Sequence, residues 1–165
     1  MTRYLPLKGI ITSISESRTG GSGAASCTLL FSIQGEDGNV FSFVISPSTY
    51  VLNQESFRPG DTIIAFYDSL APMPLIYPPS YQAVAAIKPW KEQSAMLDVF
   101  DQNLKNSDNS LVLNLSPATN IRTQNGQIFT GRLANQLLLV LYTATTRSLP
   151  PQTTPDEVVV FCPVS

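Results

Sequence analysis

The chain has 165 residues, of which 43% are hydrophobic and only 13% charged, with a net charge of −2 and no histidine. Charged side chains usually make up about 25% of a globular domain, so the exterior here falls to the 50 Ser, Thr, Asn and Gln residues. The absence of histidine removes the commonest general base and metal ligand, and the acidic balance argues against nucleic acid, whose non-specific affinity comes from Lys and Arg displacing phosphate counterions.

The opening Met-Thr-Arg-Tyr-Leu-Pro carries no signal-peptide hydrophobic region. No apolar run approaches the ~20 residues of a membrane helix. The expectation is a soluble, cytoplasmic chain without membrane insertion. Period-two alternation, the mark of strands with one buried face, begins at Ile10, Thr12 and Ile14. It resumes at Cys27, Leu29, Phe31 and Ile33, beyond a Gly/Ser-rich insertion, Arg18 to Ala25, that reads as a mobile loop. Cys27 shares this register and is expected to be a buried small hydrophobe. With Cys162 as its only companion, it cannot form a disulfide framework. Gly35-Glu36-Asp37-Gly38-Asn39 is turn chemistry, because Gly and Asn tolerate the positive φ of tight hairpins. Phe41, Phe43 and Ile45 return as the partner strand, and Ser46-Pro47-Ser48-Thr49 breaks it. Tyr50-Val51-Leu52 forms a short strand, Arg58-Pro59-Gly60-Asp61 turns into Ile63, Ala65 and Tyr67, and a closing strand runs from Ala83 to Ile87.

The second half repeats this plan. Phe43 to Val51 matches Leu113 to Ile121 at an offset of 70, and Ile63 to Tyr67 answers Leu138 to Tyr142 at 75. Pro78-Pro79 answers Pro150-Pro151 at 72, and Ala83 to Ile87 answers Glu157 to Phe161 at 74. Leu97, Phe100 and Leu104 fit helical spacing, while Met96, Asp98 and Phe100 fit a strand; the repeat favours the strand. The expected fold is all-β: two related small β-barrel (OB-like) halves packed together as a pseudo-two-fold internal duplication. The first repeat covers 1–89 and the second, shorter one 90–165, with Trp90 near their seam. A pair of SH3-like barrels and a single β-sandwich are the alternatives.

No catalytic residue, metal ligand set or cofactor motif is found. Two acids would suffice for glycoside hydrolysis, but Glu36, Asp37, Asp61, Asp108 and Asp156 read as turn or strand-end residues. Gly20-Gly21-Ser22-Gly23 lies between strand patterns rather than before a helix, so it is not a phosphate cradle. The candidate binding elements are two Pro-rich connections, Leu70 to Tyr81 and Thr143 to Pro155, which follow the Tyr67 and Tyr142 strands. Proline pre-orders such loops, and Tyr, Met and Arg are enriched at binding hot spots. Arg147 would be the polar anchor, and Tyr67, Tyr77, Tyr81 and Tyr142 would supply flat contact area, with Met73 and Gln152 beside them. In the alternative the loops cover barrel ends and bury Met73, Leu75, Ile76 and Leu149.

Leu141-Tyr142-Thr143-Ala144-Thr145-Thr146-Arg147-Ser148-Leu149-Pro150-Pro151-Gln152-Thr153-Thr154-Pro155, with the Asn125-Gly126-Gln127 turn and Ile63 to Tyr67 leading into Ile76-Tyr77-Pro78-Pro79, resembles a family of uncharacterised bacterial β-barrel repeat domains. Members of that family often lie in cell-surface proteins beside stalk domains similar to the N-terminal domain of copper amine oxidases. Its most specific element falls at Thr146 to Gln152, which the first half replaces with Met-Pro-Leu-Ile-Tyr-Pro-Pro. The resemblance implies a cell-surface context, no enzymatic activity and no copper site. The functional expectation is a non-catalytic binding or structural module that presents its Pro/Tyr-rich loops to a protein, peptide or glycan partner. An OB-type single-stranded nucleic-acid binder, needing Lys105, Arg122, Arg132 and Arg147 to converge beside aromatics, and a carboxylate hydrolase are the alternatives.

Overall fold

The computed structural model describes residues 2–17, 27–90 and 92–162. The Gly/Ser-rich insertion, Arg18 to Ala25, lies outside the described residues. The protein is all-β, with 47% strand against 2% helix. It divides into a first unit, Leu5–Pro89, and a second, Trp90–Ser165 with Met1–Tyr4.

The first unit contains β1 (Tyr4–Glu16), β2 (Leu29–Gly35), β3 (Val40–Ile45), β4 (Tyr50–Val51), β5 (Thr62–Asp68), β6 (Ser80–Gln82) and β7 (Ala85–Ile87). They form one sheet in the order β4-β7-β5-β1-β2-β3-β6. β1, β2 and β3 are an antiparallel meander, whereas β3 with β6 and β4 with β7 run parallel. The β1–β2 register shifts between Ile11 and Ser13, a bulge that inserts an extra residue. Plain alternation from Ile10 therefore fails: Ile11 is the buried residue, and Ile10 is 51% exposed. The bulge lets Ile11 and Ile14, an odd number apart, pack into the same core with Phe31, Ile33, Phe43 and Ile63. Each such large apolar side chain contributes roughly 1.5–3 kcal/mol when fully buried. The β2–β3 turn forms as its residues dictate, with Gly38 at φ +85° and the Asp37 carboxylate accepting from the Asn39 backbone N–H.

Cys27 does not continue the buried face of β2. It precedes the strand and is exposed, beyond the last described bond between these strands, from the Ser17 N–H to the Thr28 carbonyl at 2.9 Å.

The closing strand expected from Ala83 to Ile87 is β7, trimmed to Ala85–Ile87, and a further short strand, β6, precedes it at Ser80–Gln82. β6 pairs with β3, and β7 pairs with β5 and β4. Between them the Ala83 N–H donates to the Val44 carbonyl at 3.1 Å and the Val84 N–H to the Phe66 carbonyl at 2.7 Å. The chain thus transfers from β3 to β5 at Ala83-Val84, and the ladder is interrupted there. Among the described residues no sheet closes into a barrel, contrary to the barrel expectation. The edge strands have only two and three residues, and Pro78-Pro79 has no N–H with which to lengthen β6.

The second unit contains β8 (Ser94–Phe100), β9 (Val112–Leu113), β10 (Asn120–Thr123), β11 (Gln136–Tyr142), β12 (Gln152–Thr153) and β13 (Glu157–Phe161). One sheet has the order β10-β13-β11-β8, and β12 pairs with β9 in another. β8 pairs with β11 along its whole length, from Ser94 opposite Tyr142 to Phe100 opposite Gln136, which decides the strand over the helix. Leu104 lies beyond it with φ 57°. The core gathers Phe100, Leu111, Leu113, Leu138, Val140 and Val158. Two buried polar side chains hold the segment after β8: Asp98 accepts from the Ser107 N–H and hydroxyl, and Asn106 accepts from the Ser110 and Leu111 N–H groups. Satisfied in this way, they avoid the penalty of burying unpaired polar atoms. Among the described residues no helix is long and apolar enough to cross a membrane.

Candidate binding site

At the end of β5 the Asp68 carboxylate accepts from the Leu70 N–H at 2.9 Å and its carbonyl from the Ala71 N–H at 3.1 Å, turning the chain outward. Four prolines between Pro72 and Pro79 then fix φ and leave no run of N–H donors to build a sheet. The apolar side chains of this loop project into solvent: Leu75 is 103% exposed, Tyr77 90%, Ile76 58% and Met73 41%. Leu149, in the Pro-rich connection of the second unit, is 94% exposed. These exposures overturn the alternative in which Met73, Leu75, Ile76 and Leu149 are buried as plugs.

Tyr67 at the end of β5 and Tyr81 in β6 are half-buried, with ring centroids 4.6 Å apart and planes tilted by 46°. Tyr81 is held from behind by Phe41, edge-on at 5.9 Å. Burial pushes the Tyr67 phenol above its usual range, and the neighbouring Tyr81 adds to the shift. Tyr81 is shared by two clefts. One, of about 470 Å³, is lined by Phe41, Tyr77, Pro79 and Tyr81 with Lys8, Glu36, Asp37 and Asn39. The other, of about 280 Å³, is lined by Tyr67, Pro72, Met73, Pro74, Tyr81 and Gln82. Together they offer the mostly apolar walls and few polar groups that small-molecule and peptide sites have.

The structure therefore brings Tyr67, Tyr77, Tyr81 and Met73 of the sequence-derived set to neighbouring clefts. Tyr142, Arg147 and Gln152 belong to the second unit. Tyr142 ends β11 and packs against that unit's core, and burial raises its phenol's pKa. Arg147 is exposed at the tip of its connection. Gln152 is engaged locally: its side-chain oxygen accepts from Asn114 Nδ2 at 2.9 Å and its N–H donates to the Thr146 hydroxyl at 3.0 Å. Sequence reasoning missed Lys8, Glu36, Asp37, Asn39 and Phe41 as cleft residues. The acidic turn and the Pro-rich loop meet only because β6 adds in parallel beside β3, a long-range pairing with no local signature.

Among the described residues no group of three or more His, Cys, Asp or Glu side chains is placed to hold a metal ion. Comparison with family models, curated proteins and solved structures gives no match to this chain.

Proposed function

We propose that the chain is a non-catalytic binding module built from two repeats of one plan, in which the Pro/Tyr-rich loop of the first repeat is presented to a protein, peptide or glycan partner. The observation that carries this reading is the run of exposed apolar side chains, Leu75, Ile76 and Tyr77, in the loop whose residues line two clefts that share Tyr81. An apolar rim held out in water by prolines costs free energy unless a partner covers it. The test is an array of peptides and glycans probed with the labelled full chain and with Tyr81→Ala. Spots retained by the wild type and lost by the variant are expected, and an array on which the two behave alike refutes the reading.

The pairing registers support the repeat. Tyr50 lies opposite Ala85 as Asn120 lies opposite Glu157, both in parallel. Ala65 lies opposite Ala86 as Val140 lies opposite Val158, both antiparallel. Phe43 lies opposite Tyr81 as Leu113 lies opposite Thr153, again parallel. The Gly60 N–H donates to the Ile11 carbonyl as the Asn135 N–H donates to that of Phe100. In this correspondence Ala85 answers Glu157, so the last block runs at an offset of 72 rather than the 74 read from the sequence. The counterpart of β2 shrinks to bridges at Lys105 and Asn106.

A further inference from the structure

We propose that the two clefts flanking Tyr81 take an extended, proline-containing peptide segment that carries an arginine, the guanidinium seated at Tyr77 and Glu36 and the apolar residues running across Tyr81 toward Tyr67 and Met73. This inference rests on the first unit being a binding module and names the chemistry of its partner.

Three features point to such a ligand. The first is shape, since clefts of about 470 and 280 Å³ on two sides of one tyrosine suit a linear chain better than a compact molecule. The walls come next: Phe41, Tyr77, Pro79 and Tyr81 on one side, and Tyr67, Pro72, Met73 and Pro74 on the other, are aromatic and prolyl. Grooves of this kind recognise polyproline II segments, which bind with little loss of entropy because they are already extended. Proline likewise keeps the receiving loop ordered beforehand.

The third feature is charge. Carboxylates line the clefts at Glu36, Asp37 and Asp68, against a single amine at Lys8. Lys8 Nζ lies 3.6 Å from Glu36, whose side chain is 72% exposed. An ion pair so exposed is worth little, so an incoming guanidinium can take Glu36 from it. The same guanidinium can stack on the open face of Tyr77, a cation–π contact that arginine's planar group favours. A sugar would instead need side-chain amides and carboxylates free to read its hydroxyls. Here Asp37 accepts from the Asn39 N–H at 3.0 Å and from Asn39 Nδ2 at 2.6 Å, so part of that capacity is taken up within the turn.

The experiment measures fluorescence anisotropy of a labelled Arg-Ala-Pro-Leu-Pro-Pro-Leu peptide with the full chain, and of the same peptide with Glu replacing Arg, with chitohexaose titrated in parallel by calorimetry. Binding of the Arg peptide is expected, weakening about tenfold in Tyr81→Ala and about fivefold in Tyr77→Ala. Glu36→Gln weakens it about threefold and flattens its salt dependence, while Ile128→Ser in the second unit leaves it unchanged. Because Tyr77 is almost wholly exposed, its variant reports on contact rather than on folding. Equal binding of the Arg and Glu peptides, or no loss in Tyr77→Ala, overturns the inference. Chitohexaose binding that depends on Tyr77, with no peptide binding, overturns it too but leaves the binding module standing. Neither ligand binding overturns the inference, and the array then decides the module itself.

Discussion

In each unit a threonine hydroxyl ties the Ser-Pro turn to the segment just before the last strand. Thr49 Oγ1 accepts from the Ser46 N–H at 3.0 Å and donates to the Ala83 carbonyl at 2.7 Å. Thr119 Oγ1 accepts from the Ser116 N–H at 3.2 Å and donates to the Pro155 carbonyl at 3.1 Å. Replacing either threonine with valine keeps the shape and strands both backbone partners, a loss of roughly 1–3 kcal/mol where water is excluded. Both side chains are half-buried, so water recovers part of that loss, and the longer bonds at Thr119 have less to lose. The expected destabilisation is about 1.5–2 kcal/mol for Thr49→Val and about 1 kcal/mol for Thr119→Val. At ~2–4 °C per kcal/mol for a chain of this length, the melting temperature falls by about 3–8 °C and about 2–4 °C. Urea unfolding followed by far-ultraviolet circular dichroism measures the change, with the slope m unaltered if only stability moved. Thr49→Ser and Thr119→Ser keep the hydroxyl and are expected to restore most of the loss. Valine variants as stable as the wild type refute the clamp, and a loss at Thr49 with none at Thr119 refutes the structural equivalence of the two turns.

Gly9→Ala is expected to destabilise the first unit by about 1–3 kcal/mol, since a Cβ there would lie 2.5 Å from the Gln34 carbonyl oxygen; a normal melting curve would mean that β1 can move aside. Tyr67 and Tyr142 have phenol pKa values raised by burial, so their contribution to stability is present below pH ~10 and lost as pH rises through the folded-state values. Absorbance titration at alkaline pH should show a late phase that Tyr67→Phe and Tyr142→Phe each diminish, and an unchanged titration would argue against their burial. Both cysteines are exposed, so about two equivalents of a maleimide should react with the folded protein without denaturant. Resistance of Cys27 would restore the buried reading.

Much of the strand content was legible because one face of each strand is apolar. Phe31 with Ile33, and Phe41 with Phe43, stand in the core where period two puts them. The pattern misled where the backbone changes its own period. The bulge after Ile11 moves burial from Ile10 to Ile11, and no local residue advertises it. A buried alternation also cannot say which strand lies alongside, so the strand expected from Ala83 to Ile87 forms as β7 at Ala85–Ile87, while the separate pairing of Ser80–Gln82 with β3 was not foreseen. Cys27 failed for the opposite reason: the apolar register runs on past the point where pairing with β1 has ended. Of the candidate site, the tyrosines were visible as residue types, but their convergence was not. It depends on the parallel addition of β6 beside β3, which brings residues from the start of β1, the β2–β3 turn and the Pro-rich loop to one place.

The two Pro-rich connections follow β5 and β11, and their side chains are engaged differently. Tyr81 lies opposite Phe43 in the first unit, and Thr153 lies opposite Leu113 in the second. Tyr81 turns its ring to Tyr67 and to the clefts, whereas Thr153 turns its hydroxyl back to the Ala144 carbonyl at 2.6 Å. The Thr146 N–H closes the same loop onto the Gln152 carbonyl at 2.8 Å, and the Ser148 hydroxyl donates to the Pro150 carbonyl. A loop that satisfies its own polar groups holds its shape without a partner, while one that carries Leu75, Ile76 and Tyr77 into water has apolar surface left over. The burial of apolar area that drives association is therefore on offer at the first connection. The second, with Arg147 and Leu149 at its tip, supplies a point charge and one aliphatic side chain rather than an aromatic cleft, so under the proposed function the first connection is the one expected to carry partner binding.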